Sequence, residues 1–240
     1  MQTVNIRANR MPYQVQEAFK TLRSNVEFSG NDMRAICVTS ALPNDGKSTV
    51  SFELACAFAE SGRSTLLIDA DLRKSVMRRN IAGGVEFGLT HFLIGKAQFD
   101  EAVCETNVRG LHILFAGQFP PNPSELLGSK RFQSLVAQAR KAYDVVIIDT
   151  PPVGSVIDAA VVSRTCDGVV LVLRDRTISY RLAQQIQTQL NQAGAKILGV
   201  VLNGVDLSSN RYYGHYYGKY YGSYYGNYGK KSSSEGSGNR

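Results

Sequence analysis

Residues 41–48 read ALPNDGKS, and this loop is the most informative segment of the chain. An apolar run at 34–40 precedes it and is typical of a buried strand, and a helical pattern from about 48 to 61 follows it. A glycine-bearing loop between a strand and a helix fits the P-loop pattern, with Ala41 in place of the first glycine. Because loop N–H groups and a helix N-terminus together attract phosphate oxygens, the segment predicts a nucleotide site.

The positions of this loop have distinct expected roles. Lys47 is expected to reach the β- and γ-phosphates of ATP, and the hydroxyl of Ser48 is expected to bind Mg²⁺. Asn203, at the end of a later apolar run, is a weak candidate for a contact with adenine. The predicted nucleotide-binding residues are Asn44, Asp45, Gly46, Lys47, Ser48 and Thr49.

Two further apolar runs end in carboxylates. The run at 145–148 is followed by Asp149, which is the Walker B arrangement, and the run at 66–68 is followed by Asp69 and Asp71. Strand alternation points Asp69 and Asp71 in the same direction, so both can face one site. Three carboxylates are more than a magnesium–nucleotide needs, and one is therefore expected to accept the proton of a hydroxyl nucleophile. An acidic strand end capped by Arg73 is the alternative for the second segment.

These residues form the predicted active site. We assign the base to Asp69 and the metal to Asp71 and Asp149, with the division of roles between Asp69 and Asp71 open. The predicted catalytic residues are Lys47, Asp69, Asp71 and Arg73. The predicted metal ligands are Ser48, Asp71 and Asp149.

The remaining apolar runs predict an α/β fold. They are continuous Val, Ile and Leu segments, which parallel strands buried on both faces require. Together with the loop, they predict a P-loop NTPase fold with a mostly parallel sheet and helices on both faces. The predicted strands are 34–40, 64–69, 111–116, 145–149, 168–173 and 197–202, and the predicted helices are 48–61, 124–143 and 179–193.

Residues 1–30 are polar apart from one helical stripe. Its apolar members recur at intervals of four, three and four residues, which predicts an amphipathic helix; they are Val15, Phe19, Leu22 and Val26. Charged side chains on the other side of this helix are typical of a solvent-exposed face; they are Glu17, Lys20 and Arg23. We divide the chain into this N-terminal region (1–30), a nucleotide-binding domain (31–207) and a tail (208–240).

The tail repeats Tyr-Tyr-Gly-x from residue 212 onward. Glycine at every fourth position and the lack of aliphatic residues disfavour helix and strand, and predict a flexible segment. The pattern fits either a set of phosphate acceptors or a linker that associates through aromatic stacking. The candidate phosphoacceptors are Tyr212, Tyr213, Tyr216, Tyr217, Tyr220, Tyr221, Tyr224, Tyr225 and Tyr228.

Charge and cysteine spacing argue against several classes of protein. The 27 Lys and Arg outnumber the 20 Asp and Glu, but much of this excess lies in residues 211–240, so nucleic acid is not an expected partner. The four cysteines form no CxxC pair, which argues against a zinc site or a disulfide framework. No signal-peptide pattern and no apolar run of about 18 residues occurs, so a cytosolic chain without a membrane span is expected.

At these residues the chain resembles the bacterial tyrosine kinases that control capsule and exopolysaccharide synthesis. Counterparts in that family exist for the P-loop, for the Asp-x-Asp-x-Arg motif at 66–73 and for the Asp-Thr-Pro-Pro Walker B segment at 145–152. Residues 120–127 (PPNPSELL) and the tyrosine-rich end also match, so the likeness covers essentially the whole chain. Without a membrane span, the chain looks like the kinase half of the two-chain systems typical of Firmicutes.

The resemblance implies ATP- and Mg²⁺-dependent transfer of phosphate to the tail tyrosines, between neighbouring subunits of a ring-shaped homo-oligomer. It places Glu17, Lys20 and Arg23 on the family's Glu-x-x-Arg-x-x-Arg oligomerisation motif, where Lys20 replaces an arginine and cannot make a bidentate pair with a carboxylate. It also implies a transmembrane adaptor of the polysaccharide co-polymerase type, protein substrates in polysaccharide precursor synthesis, and a cytoplasmic location at the inner face of the plasma membrane.

Two other functions remain open. A partitioning-type P-loop ATPase switch shares the fold and hydrolyses ATP with water, but that class carries a signature lysine where this chain has Leu42, and it lacks a tyrosine-rich tail. A scaffold that binds ATP and transfers nothing is the other alternative, and the presence of Asp69, Asp71 and Asp149 argues against it.

Overall fold

The computed structural model describes residues 1–7, 11–30 and 32–206. The strands are β1 (Gln2–Ile6), β2 (Ala35–Ser40), β3 (Thr65–Asp69), β4 (Ile81–Ala82), β5 (Val103–Thr106), β6 (Leu111–Leu114), β7 (Val145–Asp149), β8 (Gly168–Arg174) and β9 (Ile197–Asn203). The helices are α1 (Tyr13–Phe28), α2 (Lys47–Glu60), α3 (Leu89–Leu93), α4 (Phe99–Ala102), α5 (Pro123–Gly128), α6 (Lys130–Ala142), α7 (Asp158–Ser163) and α8 (Tyr180–Gln192).

The described strands form one sheet in the order β4-β1-β5-β6-β3-β7-β2-β8-β9. The six strands from β6 to β9 in this order are mutually parallel. β5 runs antiparallel to β6, β1 runs parallel to β5, and β4 closes the edge antiparallel to β1. The predicted α/β class with a mostly parallel sheet is therefore confirmed.

The sheet has a hydrophobic core on each face. Every residue of β2, β3 and β7 is buried. Along β3, Leu66 and Ile68 pack into the core that α6, α7 and α8 cover, whereas Leu67 packs into the core beneath α1 and α2. Burial on both faces explains why these strands read as continuous apolar runs.

The chain reverses its direction of winding at β2, which lies between β7 and β8. In such sheets, ligands bind outside the carboxyl ends of the strands at this switch point. The P-loop leaves β2 at this end, and β7 brings Asp149 beside Val38 of β2 and beside Asp69 of β3. The topology thus assembles the P-loop and both acidic strand ends at one edge.

The region predicted as one helix at 124–143 contains two, α5 and α6, which meet at Ser129. The backbone of Ser129 is extended, and its hydroxyl accepts the N–H of Phe132 and so caps α6. Because Ser129 ends one helix and caps the next without changing the spacing of the apolar residues, the division is not visible in the sequence.

The strand predicted at 111–116 ends at Leu114. The carbonyl groups of Phe115 and Ala116 accept the N–H groups of Leu89 and Thr90 at the start of α3. Two residues that look like strand therefore serve to hold the end of a short helix.

The N-terminal region contributes more than the predicted helix. α1 is present, with Val26 buried against α2, and it is preceded by β1, which the sequence analysis does not predict. β4 and β5 are also absent from the predicted elements. Met1–Asn203 forms one compact unit, so the described part of residues 1–30 packs with the sheet.

Three further observations bear on the predictions. All four cysteines are free thiols. The described part of the chain contains no helix of the length and hydrophobicity that a bilayer span needs. The nine candidate phosphoacceptors from Tyr212 to Tyr228 lie outside the described residues.

Candidate active site

The P-loop between β2 and α2 is held in a tight turn. Asn44 and Gly46 have φ angles of 68° and 95°, a left-handed conformation that turns successive N–H groups toward one side. The buried carboxylate of Asp45 accepts the N–H of Leu42 at 2.8 Å. From the end of β9, the amide of Asn203 donates to the Asp45 carbonyl at 2.9 Å. Asp45 and Asn203 therefore stabilise the shape of the loop, whereas Thr49 is exposed on the first turn of α2.

Lys47, the first residue of α2, lies among three oxygen-bearing side chains. Its Nζ is 2.9 Å from Asp71 Oδ2, 3.4 Å from Asp149 Oδ2 and 3.1 Å from the hydroxyl of Ser48. Burial alone lowers the pKa of Lys47, but the charges of Asp149 and Asp71 outweigh this effect and raise it. Lys47 is therefore a buried cation, compensated by the carboxylates that the sequence analysis places beside it.

Asp69 and Asp149 are direct neighbours in register on β3 and β7, and both are 1% exposed. Burial raises the pKa of Asp69 to about 7, and the nearby charge of Asp149 adds to the rise. A short hydrogen bond from the hydroxyl of Ser75 to Asp69 opposes it. Burial also raises the pKa of Asp149. The charge of Lys47 and hydrogen bonds from serine hydroxyls oppose this rise, and one of them is donated by Ser51 Oγ to Asp149 Oδ1 at 3.0 Å.

Asp71 is held by two backbone groups as well as by Lys47. Its Oδ1 accepts the N–H of Lys74 at 2.9 Å and that of Arg73 at 3.3 Å, and its Oδ2 faces Lys47. It is 4% exposed and ion-paired. The two backbone N–H groups and Lys47 therefore fix the direction of the Asp71 carboxylate.

The segment after Asp149 is fixed against the P-loop strand. The N–H of Thr150 donates to Val38 O at 3.0 Å, and the N–H of Val153 donates to Ser40 O at 2.9 Å. A Cβ on Gly154 would lie 2.3 Å from the carbonyl oxygen of Ala41, so only glycine allows this approach. The Walker B segment and the P-loop are therefore positioned as one unit.

Arg73 has a different environment from the other predicted catalytic residues. Its guanidinium makes a bidentate pair with Asp158 of α7, at 2.8 and 3.1 Å, and also donates to the hydroxyl of Ser124 of α5. Hydrogen bonding to Asp158 raises the pKa of Arg73 further. The structure thus joins Arg73 to two residues that the sequence analysis does not assign to the site.

The donor set fits a magnesium–nucleotide. Ser48, Asp71 and Asp149 offer hydroxyl and carboxylate oxygens, the ligand type that Mg²⁺ prefers. Among the described residues, no three His, Cys, Asp or Glu side chains form a metal site on their own. At Gly46, a Cβ would lie 2.1 Å from Asn203 Nδ2, so a side chain there would displace the amide that donates to the Asp45 carbonyl.

The three predicted oligomerisation residues lie on α1, away from the P-loop edge. Lys20 and Glu17 form an exposed ion pair at 2.7 Å. Arg23 instead packs onto α2, where its Nη1 donates to Ala57 O at 3.2 Å, and its Nε lies 3.8 Å from Glu27. The Nε of Arg23 is buried and makes no hydrogen bond within the described part of the chain.

Several residues of the site escape sequence reasoning. Ser51 and Ser75 orient carboxylates, and Ser124 and Asp158 bind Arg73. Ser124 lies in the PPNPSELL segment, which the sequence analysis singles out without a role. Of these four residues, only Ser124 lies in a sequence motif that could have drawn attention to it.

The chain matches known proteins over most of its length. Residues 33–198 match the family described as "AAA domain". The tyrosine-protein kinase CpsD of Streptococcus pneumoniae serotype 4 (strain ATCC BAA-334 / TIGR4) is 41% identical over 215 residues, which cover 88% of this chain and 95% of that protein. The tyrosine-protein kinase YwqD of Bacillus subtilis (strain 168) is 40% identical over 201 residues, which cover 83% of this chain and 85% of that protein.

Solved structures agree with these relatives. The kinase domain of the Escherichia coli tyrosine kinase ETK has a TM-score of 0.77 and 32% identity, over 85% of this chain and 90% of that one. The chimerical protein CapA2B2 also has a TM-score of 0.77 and 32% identity, over 85% and 94%. The septum site-determining protein MinD of Pyrococcus horikoshii OT3, complexed with Mg-ADP, shares the fold alone, with a TM-score of 0.61 at 24% identity.

These matches confirm the predicted P-loop NTPase fold and the family resemblance. The buried lysine and carboxylates at the switch point of the sheet are the features that a phosphoryl-transfer enzyme needs. The chain therefore belongs to the family of bacterial tyrosine-protein kinases.

Proposed function

We propose that this kinase uses MgATP to phosphorylate its own C-terminal tyrosines, and that it regulates capsule or exopolysaccharide synthesis and export. The observation that carries the proposal is the arrangement of Asp69, Asp71 and Asp149 around one buried lysine. A hydrolytic switch needs no proton acceptor for a tyrosine. The relatives with the names CpsD and YwqD support a tyrosine kinase in preference to such a switch.

The binding roles follow from the geometry of the P-loop. Backbone N–H groups of the loop and the Lys47 ammonium would hold the β- and γ-phosphates of ATP. Ser48, Asp71 and Asp149 would hold Mg²⁺, which supplies charge neutralisation at the phosphates when it is bound. Lys47 is already oriented by Asp71 and Asp149, so its charge is in place before the substrate arrives.

The catalytic role that we propose for Asp69 is that of general base. Asp69 accepts the proton of the attacking tyrosine hydroxyl while that oxygen bonds to the γ-phosphorus and the bond to the ADP oxygen breaks. Burial raises the pKa of Asp69 to about 7, and a base works best when its pKa lies near the working pH. The short hydrogen bond from Ser75 orients the carboxylate.

We further propose that phosphorylation occurs between subunits of a ring. The predicted acceptors, Tyr212 to Tyr228, follow a segment that begins at residue 208, and a flexible chain of about 20 residues has an r.m.s. span of roughly 25 Å. Equivalent Tyr-Tyr-Gly-x repeats favour phosphorylation of several tyrosines over a single site. Each phosphate adds about −1.5 to −2 charge at pH 7, so the basic tail becomes acidic and repulsion loosens the ring.

The proposed partner is a transmembrane adaptor whose cytosolic segment stimulates the kinase and holds it at the inner face of the plasma membrane. In support, the Escherichia coli tyrosine-protein kinase etk matches over 83% of this chain but only 28% of its own length, so further segments accompany that kinase. Purified kinase alone is then expected to be weakly active. Full activity without an adaptor would contradict this part of the proposal.

The deciding experiment incubates the purified protein with γ-labelled ATP and Mg²⁺ and detects phosphotyrosine. A tyrosine kinase incorporates label into its own chain, whereas a partitioning-type ATPase releases labelled inorganic phosphate only, and a scaffold does neither. Asp69→Asn serves as the inactive variant. Adding purified enzymes of polysaccharide precursor synthesis to the same reaction tests the proposed protein substrates.

A further inference from the structure

Arg73, Asp158 and Ser124 form a hydrogen-bonded cluster that joins three separate segments at the edge of the site. Asp158 is fully buried, and both of its oxygens accept from the Arg73 guanidinium, at 2.8 and 3.1 Å. The hydroxyl of Ser124 donates to Asp158 at 2.6 Å and accepts from Arg73 at 2.9 Å. Each member therefore bonds to the other two, and the guanidinium matches the carboxylate as only arginine can.

The cluster lies next to Asp71 along the chain. Arg73 follows Asp71 by two residues, and the backbone N–H groups of Arg73 and Lys74 both donate to Asp71 Oδ1. The other oxygen of Asp71 faces Lys47 at 2.9 Å. The side chain of Arg73 thus anchors the turn whose backbone fixes the direction of Asp71.

We propose that Arg73, Asp158 and Ser124 are positioning residues, which hold the 71–74 turn so that Asp71 presents its carboxylate to Mg²⁺. The inference rests on the proposed role of Asp71 as a metal ligand. It gives a role to Ser124 of the PPNPSELL segment and to Asp158, and it moves Arg73 from the chemistry itself to the support of a ligand. Residues that orient ligands in this way typically affect metal affinity 10–100-fold.

The geometry favours this role over a general stabilising one. α7 follows the Walker B segment, and α5 follows the loop after β6, so the cluster ties the elements on either side of the site to the Asp71 turn. Arg73 is 40% exposed, although its partner Asp158 is fully buried. The backbone N–H of this half-exposed arginine and that of Lys74 donate to Asp71, so the pair with Asp158 acts directly on the Asp71 turn.

The test measures binding of a fluorescent ADP analogue to the full-length protein as MgCl₂ is titrated. Ser124→Ala removes both hydrogen bonds of the Ser124 hydroxyl, Arg73→Lys removes the bidentate geometry, and Asp158→Asn removes the charge. We expect half-saturation of the Mg²⁺-dependent increase in affinity to require roughly 10–100-fold more Mg²⁺ in Arg73→Lys and Asp158→Asn, and a smaller excess in Ser124→Ala. Binding in EDTA is expected to match the wild type.

A matched control is available at the opposite edge of the sheet, where Arg140 and Asp167 form another ion pair beside the amino ends of β2 and β8. Asp167→Asn should lower the melting temperature without changing the Mg²⁺ requirement. The proposal is overturned if folded Ser124→Ala and Arg73→Lys need no more Mg²⁺ than the wild type. It is also overturned if Asp167→Asn shifts the requirement equally, or if Mg²⁺ does not strengthen wild-type binding at all.

The binding assay separates this proposal from the proposed function. If the wild type binds Mg²⁺-nucleotide but forms no phosphotyrosine, the proposed function fails, while the Mg²⁺ titrations still decide the role of the cluster. If the kinase is active and the titrations coincide, the cluster proposal alone fails.

Discussion

Asp69 is a side chain whose protonation the fold alters strongly. It is 1% exposed, faces Asp149 in register, and has a pKa of about 7. Asp69→Asn preserves shape but removes the proton acceptor. We expect it to abolish tyrosine phosphorylation while nucleotide affinity in a fluorescence titration stays close to that of the wild type. Asp32→Asn, at an exposed position, is the control, and normal phosphotyrosine in Asp69→Asn would remove Asp69 from this role.

The same residue predicts how stability depends on pH. The pKa of Asp69 rises from 3.8 to about 7 on folding, so between these values the folded state binds more protons than the unfolded state. Stability from this group is therefore complete below about pH 4 and is lost as the pH rises toward 7. Without Mg²⁺ and nucleotide, Asp69→Asn should melt at a higher temperature than the wild type at pH 8.

The difference in melting temperature should shrink as the pH falls and disappear well below pH 3.8, where Asp69 is protonated in both states. Thermal denaturation of both proteins across this pH range provides the measurement. A constant difference at every pH would indicate a packing effect of the amide and would contradict the assigned pKa.

At the scale of elements, the P-loop depends on one glycine. Gly46 has a φ of 95°, and a Cβ there would lie 2.1 Å from Asn203 Nδ2 of β9. Gly46→Ala should therefore weaken nucleotide binding strongly, because the added methyl group displaces the Asn203 amide that holds the Asp45 carbonyl of the loop. Gly62→Ala is the matched control, since Gly62 has a φ of 89° with nothing within 4 Å of the added Cβ.

Both glycine variants carry the cost of a left-handed alanine, about 1–2 kcal/mol of stability. Only Gly46→Ala should lose affinity for a fluorescent nucleotide. Equal loss in the two variants would show that backbone strain, rather than the contact with Asn203, decides nucleotide binding.

The elements that the sequence predicts best are those whose pattern has a single physical meaning. β2, β3 and β7 contain continuous apolar runs because both of their faces are buried, and the acids that end β3 and β7 lie at the carboxyl edge of the sheet. The sequence alone therefore predicts that one edge of the sheet carries Lys47, Asp69, Asp71 and Asp149.

The elements that the sequence does not predict lack such a pattern. β1 has one buried residue, Val4, and β4 has two residues in all, so tertiary pairing alone makes them strands. Asp158 begins a six-residue helix, and nothing in its neighbourhood distinguishes it from a surface acid. Ser75 and Ser51 act through single hydroxyl groups, whose partners depend on how distant segments meet.

At the scale of the whole molecule, we propose that the exposed ion pair on α1 takes part in assembly. Glu17 and Lys20 bond to each other on the helix surface, whereas Arg23 is engaged with α2. Lys20 stands where the family motif has arginine, and lysine cannot form a bidentate pair. We expect Lys20→Arg to increase the oligomeric fraction in light scattering and Glu17→Ala to reduce it. Lys130→Arg, an exposed exchange on α6, should change nothing.

A mixing experiment tests transfer between subunits. A protein lacking residues 211–240 keeps every described residue of the site but has no tail tyrosines, and Lys47→Met in the full chain keeps the tyrosines but loses the cation that pairs with Asp71 and Asp149. Neither should label itself with γ-labelled ATP. Together they should label the tail of the Lys47→Met chain, and an unlabelled mixture would exclude transfer in trans.

The proposed oligomer is also expected to respond to phosphorylation. Phosphates convert a basic tail into an acidic one, so repulsion between tails favours dissociation. With the adaptor fragment, unphosphorylated protein is expected to scatter as a large closed oligomer and phosphorylated protein as a monomer. Lys47→Met should remain assembled after incubation with ATP. Equal masses in the two phosphorylation states would refute the switch.

The strand order has a consequence for the growing polypeptide on the ribosome. Among the described strands, none of the first three pairs with another of the three: β1 pairs with β4 and β5, β2 with β7 and β8, and β3 with β6 and β7. Translation at about 5–20 residues per second brings residue 149 out roughly 5–20 s after residue 48. The strand before the nascent P-loop therefore has no neighbouring strand to pair with until β7 and β8 have been synthesised. A stalled or truncated product that lacks these strands is not expected to form the phosphate site.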